Sequence, residues 1–369
     1  MHSTVEDLHG RSPTKRRERI LSVLRARGAA RVADLAAELG VSVPTIRRDL
    51  AVLEKRGMLA REHGGAVLSG AAPSPAKQSS VDEEQLVIGM VVPRLQYYFP
   101  EVIRGAKSAA DAVGARFILR ESMYERPGLD REQAGLLFAK SGIHGLLIAP
   151  ELRHDESQAV VAWLDSLPIP VVLVERQPPS GWFVEQLQWV ATDHRRGGQA
   201  AVEHLHQQGH RRIGFFGVDN VTGTQVRHGW HDTLLAKGLD PEEQLIGPSG
   251  AFSNADEHSS FQEVVRRVRE GSLTALIVQP DPDALALGQR CQEQGIRIPE
   301  DLAIVAYDDE IALMGEPPMS AVRPPKFQVG HQAMTTLISR IRRGPDSAPM
   351  ELLLRPRLNV RGSSVGRGG

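Results

Sequence analysis

At 369 residues with a formal net charge of −1, the chain is too long for one compact core, so two or three domains are expected. A single cysteine, Cys291, excludes an internal disulfide framework, and no uninterrupted apolar stretch is long enough to span a bilayer. Charge is unevenly placed: Arg11 to Ala66 carries 13 Lys/Arg against six Asp/Glu, while the remainder carries 31 against 39, the distribution expected when one part neutralises nucleic-acid phosphate.

Met1 to Arg11 lacks apolar periodicity and reads as a loose arm, and the absence of an apolar run in the first twenty residues predicts a cytoplasmic protein. A helix is predicted from Pro13 to Arg27, with Ile20, Leu21, Val23 and Leu24 inward and Gly28 as its stop. A short helix, Val32 to Gly40, buries Val32, Leu35, Ala36 and Leu39. VSVPTIRRDLAVLEKRG follows, from Val41 to Gly57, with Ser42 as N-cap, Pro44 in the first turn and Ile46, Leu50 and Leu53 as an apolar stripe. Thr45, Arg47 and Arg48 project from the other side, near the end that a helix-turn-helix protein inserts into the major groove. MLAREHGGAVL then reads as a hairpin or wing, with Arg61 and His63 placed to meet phosphate or the minor groove. These elements make a mainly α domain over residues 12–68, followed by a Pro/Ser-rich linker over 69–85.

The run RRERILSVLRARG and then VADLAAELGVSVPTIRRDLAVLEKRGMLAREHGGAV resembles the N-terminal winged helix-turn-helix of DeoR-type transcriptional regulators. The resemblance covers about Lys15 to Val67. It implies that Thr45, Arg47 and Arg48 enter the groove, whereas Asp49 orients neighbouring arginines. The DNA-binding set is therefore Ser42, Thr45, Arg47, Arg48, Arg61 and His63.

From Leu86 onward, short β-branched runs alternate with helical stretches, a rhythm that predicts α/β architecture with parallel sheets. The strand candidates are Leu86–Val92, Ala115–Leu119, Gly145–Ala149, Val171–Val174, Arg212–Gly217, Thr274–Val278 and Leu302–Tyr307. About 280 residues exceed one such sheet, so two lobes are expected over residues 86–364, dividing near Arg176 to Gln188. Ligands of open α/β sheets sit beyond the strands' carboxyl ends. That directs attention to Arg94–Phe99, Glu121–Ser122, Glu175–Arg176, Asp193, Asp219–Asn220, Asp281–Asp283 and Asp308. The alternative for each acidic residue is a helix N-cap, the preferred reading for Asp155, Asp256 and Asp301.

WVATDHRRGGQAAVEHLHQQGHRRIGFFG, VRHGWHDTLLAKGL and TALIVQPDPDALALGQRCQEQGIRIPEDLAIVAYDDE resemble the sensor domain of the LacI/GalR family, as do PPMSAVRPP and LLLRPRLNVRGSS. The resemblance spans about Leu86 to Ser364 and is strongest from Trp189. It implies a two-lobed, periplasmic-binding-protein-like fold that closes on a small effector, with Arg227 and Asp308 as the foremost contacts and Phe99, Asp193 and Asp283 beside them. Two departures stand out: the family's Asn-Asp pair is Pro282-Asp283 here, and an aspartate early in the first lobe is Arg94. They point to an anionic or unusual effector, or to none.

Together these features predict a sequence-specific transcriptional regulator, a repressor of a carbohydrate-related operon. Its partners would be double-stranded operator DNA, a sugar or sugar derivative, and a second copy in a homodimer. No cofactor, metal or membrane is expected. His204, His206 and His210 are interrupted by Gly209 and lack a completing ligand, and no nucleophile or phosphate-loop spacing singles out an enzyme. The alternatives are a DNA-binding dimer whose sensor has lost its effector, and a solute-binding receptor of the same fold.

Overall fold

The computed structural model describes residues 13–27, 29–55, 59–62, 65–68, 85–123, 126, 128–152, 157–178, 181–182, 184–218, 220–242, 245–249, 255–344 and 347–365. The chain forms two compact units, Met1–Glu83 and Glu84–Gly369. The predicted N-terminal arm, His63, Asp155, Asp219 and nearly all of the linker lie outside the described residues.

In the first unit, α1 (Pro13–Arg27), β1 (Ala29–Arg31), α2 (Val32–Glu38) and α3 (Val43–Lys55) precede the hairpin β2 (Leu59–Glu62) and β3 (Gly65–Leu68). The hairpin is the predicted wing, but β1 was not anticipated. It joins the wing to make a three-stranded sheet in the order β1-β3-β2, all antiparallel. Three residues, AAR, are too few to show a period of two.

Ile20, Leu24, Leu35, Ile46, Leu50, Leu53 and Leu59 are almost wholly buried together, so the stripe along α3 docks on α1 and α2 as its spacing requires. The tight turn into α3 is a Schellman cap. Val41 N–H donates to Ala36 O at 3.0 Å and Gly40 N–H to Ala37 O, while Gly40 takes φ +61°, a conformation that costs a side chain energy.

The second unit contains β4 (Val87–Val92), α4 (Phe99–Asp111), β5 (Arg116–Glu121), α5 (Leu129–Ser141), β6 (Gly145–Ile148), α6 (Ser157–Asp165), β7 (Val171–Val174) and β8 (Gln188–Thr192). It continues through α7 (His194–Gln207), β9 (Ile213–Val218), α8 (Val221–Ala236), β10 (Leu245–Ser249), α9 (Ala255–Arg269), β11 (Ala275–Gln279), α10 (Asp281–Glu293) and β12 (Ala303–Tyr307). It ends with β13 (Ser320–Arg323), α11 (Lys326–Arg343), β14 (Glu351–Leu354) and β15 (Arg357–Asn359).

Two six-stranded sheets result, β14-β8-β7-β6-β4-β5 and β10-β9-β11-β12-β13-β15. Their pairings are parallel except for β13 with β15. The expectation of two parallel-sheet lobes therefore holds, but the division does not fall once near Arg176–Gln188. Strand β8 still belongs to the first lobe, and the chain passes between lobes after β8, after β13 and after β14. A crossing is set by which sheet the next strand joins, which no local composition reveals.

Glycines set how closely two helix pairs approach. A β-carbon at Gly105 of α4 would overlap the carbonyl oxygen of Phe327, and one at Gly330 of α11 would overlap that of Val102. Gly198 of α7 and Gly229 of α8 stand in the same relation to Val226 and Arg195. Gly330→Ala is expected to force α4 and α11 apart and destabilise the second unit by about 3 kcal/mol, the upper end of ordinary overpacking. Urea unfolding checks this, and an unchanged midpoint would show that the helices separate freely.

Candidate functional site

In the first unit, Ser42, Arg47 and Arg48 are exposed and Thr45 is half-buried, at the N-terminal end of α3. The Ser42 hydroxyl lies 2.9 Å from that of Thr45, so the predicted cap residue engages a side chain that is itself a candidate base contact. Arg61 lies in β2, and its side chain is outside the described residues.

Asp49, predicted to orient arginines rather than touch bases, is 2% exposed. It accepts from Arg16 Nε at 2.5 Å and Arg17 Nε at 2.8 Å, both on α1. This pair of charge-assisted bonds holds the angle of α3 against α1, and hence the direction in which Arg47 and Arg48 leave the domain.

In the second unit, the carboxyl ends of β4, β7, β9, β11 and β12 open on a cavity of about 380 Å³. The first lobe contributes Arg94, Gln96, Tyr97, Tyr98, Phe99, Glu175 and Arg176. Across from them, α7 places His194, β9 and α8 place Asn220 and Thr222, and the ends of β11 and β12 place Gln279, Pro282 and Asp308.

Glu175 organises the first-lobe side. It accepts from the Tyr98 hydroxyl at 2.7 Å and from the Thr192 amide and hydroxyl, each at 2.8 Å, with His194 Nε2 at 3.6 Å. Burial alone would raise its pKa, but the hydrogen bond and charge of His194, with the Thr192 and Tyr98 bonds, hold the carboxyl below its usual value. His194 is fixed in turn by the Tyr307 hydroxyl, 2.9 Å from Nδ1. Arg176 is spoken for by backbone: Nε donates to Pro150 O at 3.1 Å and Nη1 to Glu175 O at 2.7 Å.

Asp308 organises the opposite side. Burial, with the charge of Asp281 nearby, pushes its carboxyl well above the usual range against the pull of Lys326. Its carbonyl accepts from the Lys326 ammonium, which also lies 5.0 Å from the Tyr98 ring centre and 2.5 Å from Glu310. The following loop is pinned by Asp281, fully buried, whose carboxylate accepts from the amides of Asp309, Glu310 and Ile311 at 3.2, 2.6 and 3.1 Å.

This pinning holds a strained backbone. Tyr97, Glu175 and Asp308, all cavity-lining, take φ of +60°, +55° and +104°, a conformation costing about 1–3 kcal/mol for a residue with a side chain. Two polar atoms of lining residues, the Tyr97 hydroxyl and Gln279 Oε1, are buried without a well-formed hydrogen bond. Each costs about 1–3 kcal/mol unless something binds it.

Of the predicted effector contacts, Phe99 and Asp308 line this cavity and the other three do not. Asp193 is the N-cap of α7 and accepts from the Arg196 amide at 3.0 Å. Asp283 packs on the buried face of α10, while its neighbour Pro282 turns to the cavity. Arg227 is exposed. It lies five residues beyond Thr222 on α8, roughly 140° around the helix, and Val226, Gly229 and Trp230 take the inward face. The departures Arg94 and Pro282 both line the cavity.

Sequence reasoning flagged Glu175 and Arg176 by their place after a strand but missed His194, Gln279 and Lys326. His204 and His210 are used locally, by the Ser364 hydroxyl at 2.7 Å and that of Thr274 at 3.0 Å. Cys291 is buried in the second-lobe core, which pushes its thiol up to about 12.

Residues 16–70 match the DeoR-like helix-turn-helix domain, and residues 202–364 match the periplasmic binding protein-like domain. The chain is 29% identical to the HTH-type transcriptional regulator CelR of Thermobifida fusca over 303 residues, 80% of this chain and 86% of that one. It is 28% identical to the arabinose metabolism transcriptional repressor of Geobacillus stearothermophilus over 342 residues, 90% of each. Among solved structures, the transcriptional regulator CelR–cellobiose complex aligns with a TM-score of 0.64 at 26% identity, covering 88% of this chain and 91% of that one. These relatives are transcriptional regulators rather than enzymes.

Proposed function

We propose, for a chain that is a transcriptional regulator joining a DeoR-like helix-turn-helix to a LacI-type, periplasmic-binding-protein-like sensor, that it represses a carbohydrate-related operon and is released or engaged by a neutral sugar. The observation that carries the sugar reading is the pair of buried polar atoms left without a well-formed hydrogen bond, Gln279 Oε1 and the Tyr97 hydroxyl, the latter beside the Asp308 carboxyl, in the wall of the cavity between the lobes. A hydroxyl-rich ring supplies a donor to each. Tyr97, Tyr98 and Phe99 offer the apolar surface such a ring's C–H face needs. Arg176 is committed to backbone oxygens, so its guanidinium does not offer a charge to the ligand.

Regulation then follows from closure. A sugar bridging Asp308 and Gln279 of one lobe to Tyr97 of the other favours the closed arrangement, and in a homodimer this alters how two recognition helices address a two-fold operator. Thr45, Arg47 and Arg48 read bases, with Ser42, Arg61 and His63 on the backbone or minor groove. The protein acts where DNA is, in the cytoplasm, and no described helix is long and apolar enough to cross a membrane. The reading includes no catalytic step.

Thermal unfolding of the full chain with a panel including cellobiose and L-arabinose tests this. At a hundredfold excess over its dissociation constant, a ligand stabilises by about 2.7 kcal/mol, so a binding sugar raises the midpoint by several degrees. Specific operator binding with no shift from any sugar would favour a DNA-binding dimer whose sensor no longer takes an effector.

A further inference from the structure

Where β13 and β15 pair antiparallel, Arg323 stands directly opposite Arg357. Like charges at opposed positions repel, and a strand pair that keeps them has a reason to. Both arginines open on a second cavity of the sensor, about 580 Å³, away from the cavity described above. Its wall also holds Arg355, between β14 and β15, and Arg104 of α4, with Lys326 at the start of α11.

The acid lining this cavity is Glu101, which is taken by Arg104 at 2.5 Å. Lys326 is taken by Glu310. Arg323 approaches Asp309 only to 3.5 Å, and Asp309 is held more closely by Arg361 at 2.7 Å. Among the described residues, Arg355 and Arg357 have no ion-pair partner. The wall of this concave space thus carries Arg323, Arg355 and Arg357 beyond the one lining carboxylate, Glu101, which Arg104 already answers.

We propose that this cavity binds a small phosphate-bearing anion. Guanidinium forks match phosphate oxygens two at a time, and a concavity of this size suits a small molecule rather than a flat macromolecular contact. Phe327, beneath the Arg104 guanidinium at 5.6 Å, gives the cavity an apolar side that accommodates an organic portion. The place in the fold gives occupancy a consequence. Two of the three lobe crossings border the cavity, so an anion held by Arg323 and Arg357 of the second sheet and by Arg355, in the crossing between β14 and β15, bears on how the lobes are joined. Lys326 extends the connection, because its ammonium holds the Asp308 carbonyl in the effector cavity. The sensor would then answer to two ligands, one neutral and one anionic.

Titration calorimetry of the full chain with inorganic pyrophosphate, at ionic strength matched with sodium chloride, tests the proposal. Saturable binding is expected, weakened at least tenfold in the Arg355→Gln/Arg357→Gln variant and unchanged in Arg227→Gln, an exposed arginine outside both cavities. Without the anion, Arg357→Gln should unfold at the same temperature as the parent or higher, since it removes a repulsion, and this separates lost binding from lost folding. Glucose 6-phosphate competing for the same arginines, where glucose does not, would identify an organic phosphate as the ligand; rejection of it would identify an inorganic one. Absence of saturable heat, or equal affinity in the double variant, overturns the proposal. So does weakened operator binding by that variant when the parent binds no pyrophosphate, which would assign the arginines to DNA.

Discussion

Replacing Arg47 and Arg48 together by alanine is expected to erase discrimination between the operator and a scrambled duplex. A bidentate arginine–guanine contact is worth about 1–3 kcal/mol, so losing two weakens specific binding by about two orders of magnitude or more. Both side chains are exposed on α3, opposite the stripe of Ile46, Leu50 and Leu53, so the domain's stability should hardly change. Fluorescence anisotropy at fixed salt, on operator and scrambled DNA, separates the terms. A loss equal on both duplexes would make these arginines phosphate contacts, with a reduced salt dependence instead of relaxed specificity. Asp49 explains why the effect should be so local. Its bonds to Arg16 and Arg17 orient α3 without involving Arg47 or Arg48.

Asp308→Ala should weaken sugar binding by about 10- to 100-fold, the loss of a buried charged or strongly polar hydrogen bond, while leaving operator affinity in the absence of sugar unchanged. The same carboxyl imposes a pH dependence on the fold. Because burial raises its folded pKa above the unfolded value, its contribution to stability is fully present below about pH 4 and is lost as pH rises through the folded value. Glu175 works in the opposite sense: its folded pKa is lowered, so its contribution is present above the unfolded value and lost as pH falls through the folded one. Asp308→Asn should therefore flatten the decline of the unfolding midpoint on the alkaline side and leave the acid side to Glu175. An unaltered alkaline limb would show that Asp308 is ionised in the native protein.

Much of the fold was legible because local spacing carried it. The bounds of α1 and the buried faces of α1 and α3 agree with the structure, and each of the seven predicted strands overlaps a strand to within two residues at either end. Strands β8, β10, β13, β14 and β15 were not legible. Several are short or alternate charged with half-buried residues, as in Glu351–Leu354 and Arg357–Asn359, and their pairing partners are remote in the chain. Of the five residues that the resemblance implies as effector contacts, Phe99 and Asp308 line the cavity, while Asp193, Arg227 and Asp283 lie outside its wall. Arg227 is exposed on α8 while Val226, Gly229 and Trp230 face inward, and no composition marks that phase of the helix.

The candidate DNA-reading element belongs to the sequence, since the apolar stripe and outward arginines of α3 arise from helical spacing of i to i+4, and the Schellman cap before it from bonds within residues 36–41. So does the existence of two α/β lobes, because each β-branched run and its helix announce themselves locally. The cavity belongs to the tertiary structure. Glu175 meets Tyr98 across 77 residues, Asp281 pins a loop 28 to 30 residues away, and Arg323 meets Arg357 through strand register. Such contacts exist only once the sheets have formed. They then hold Tyr97, Glu175 and Asp308 in backbone conformations that no local preference would choose.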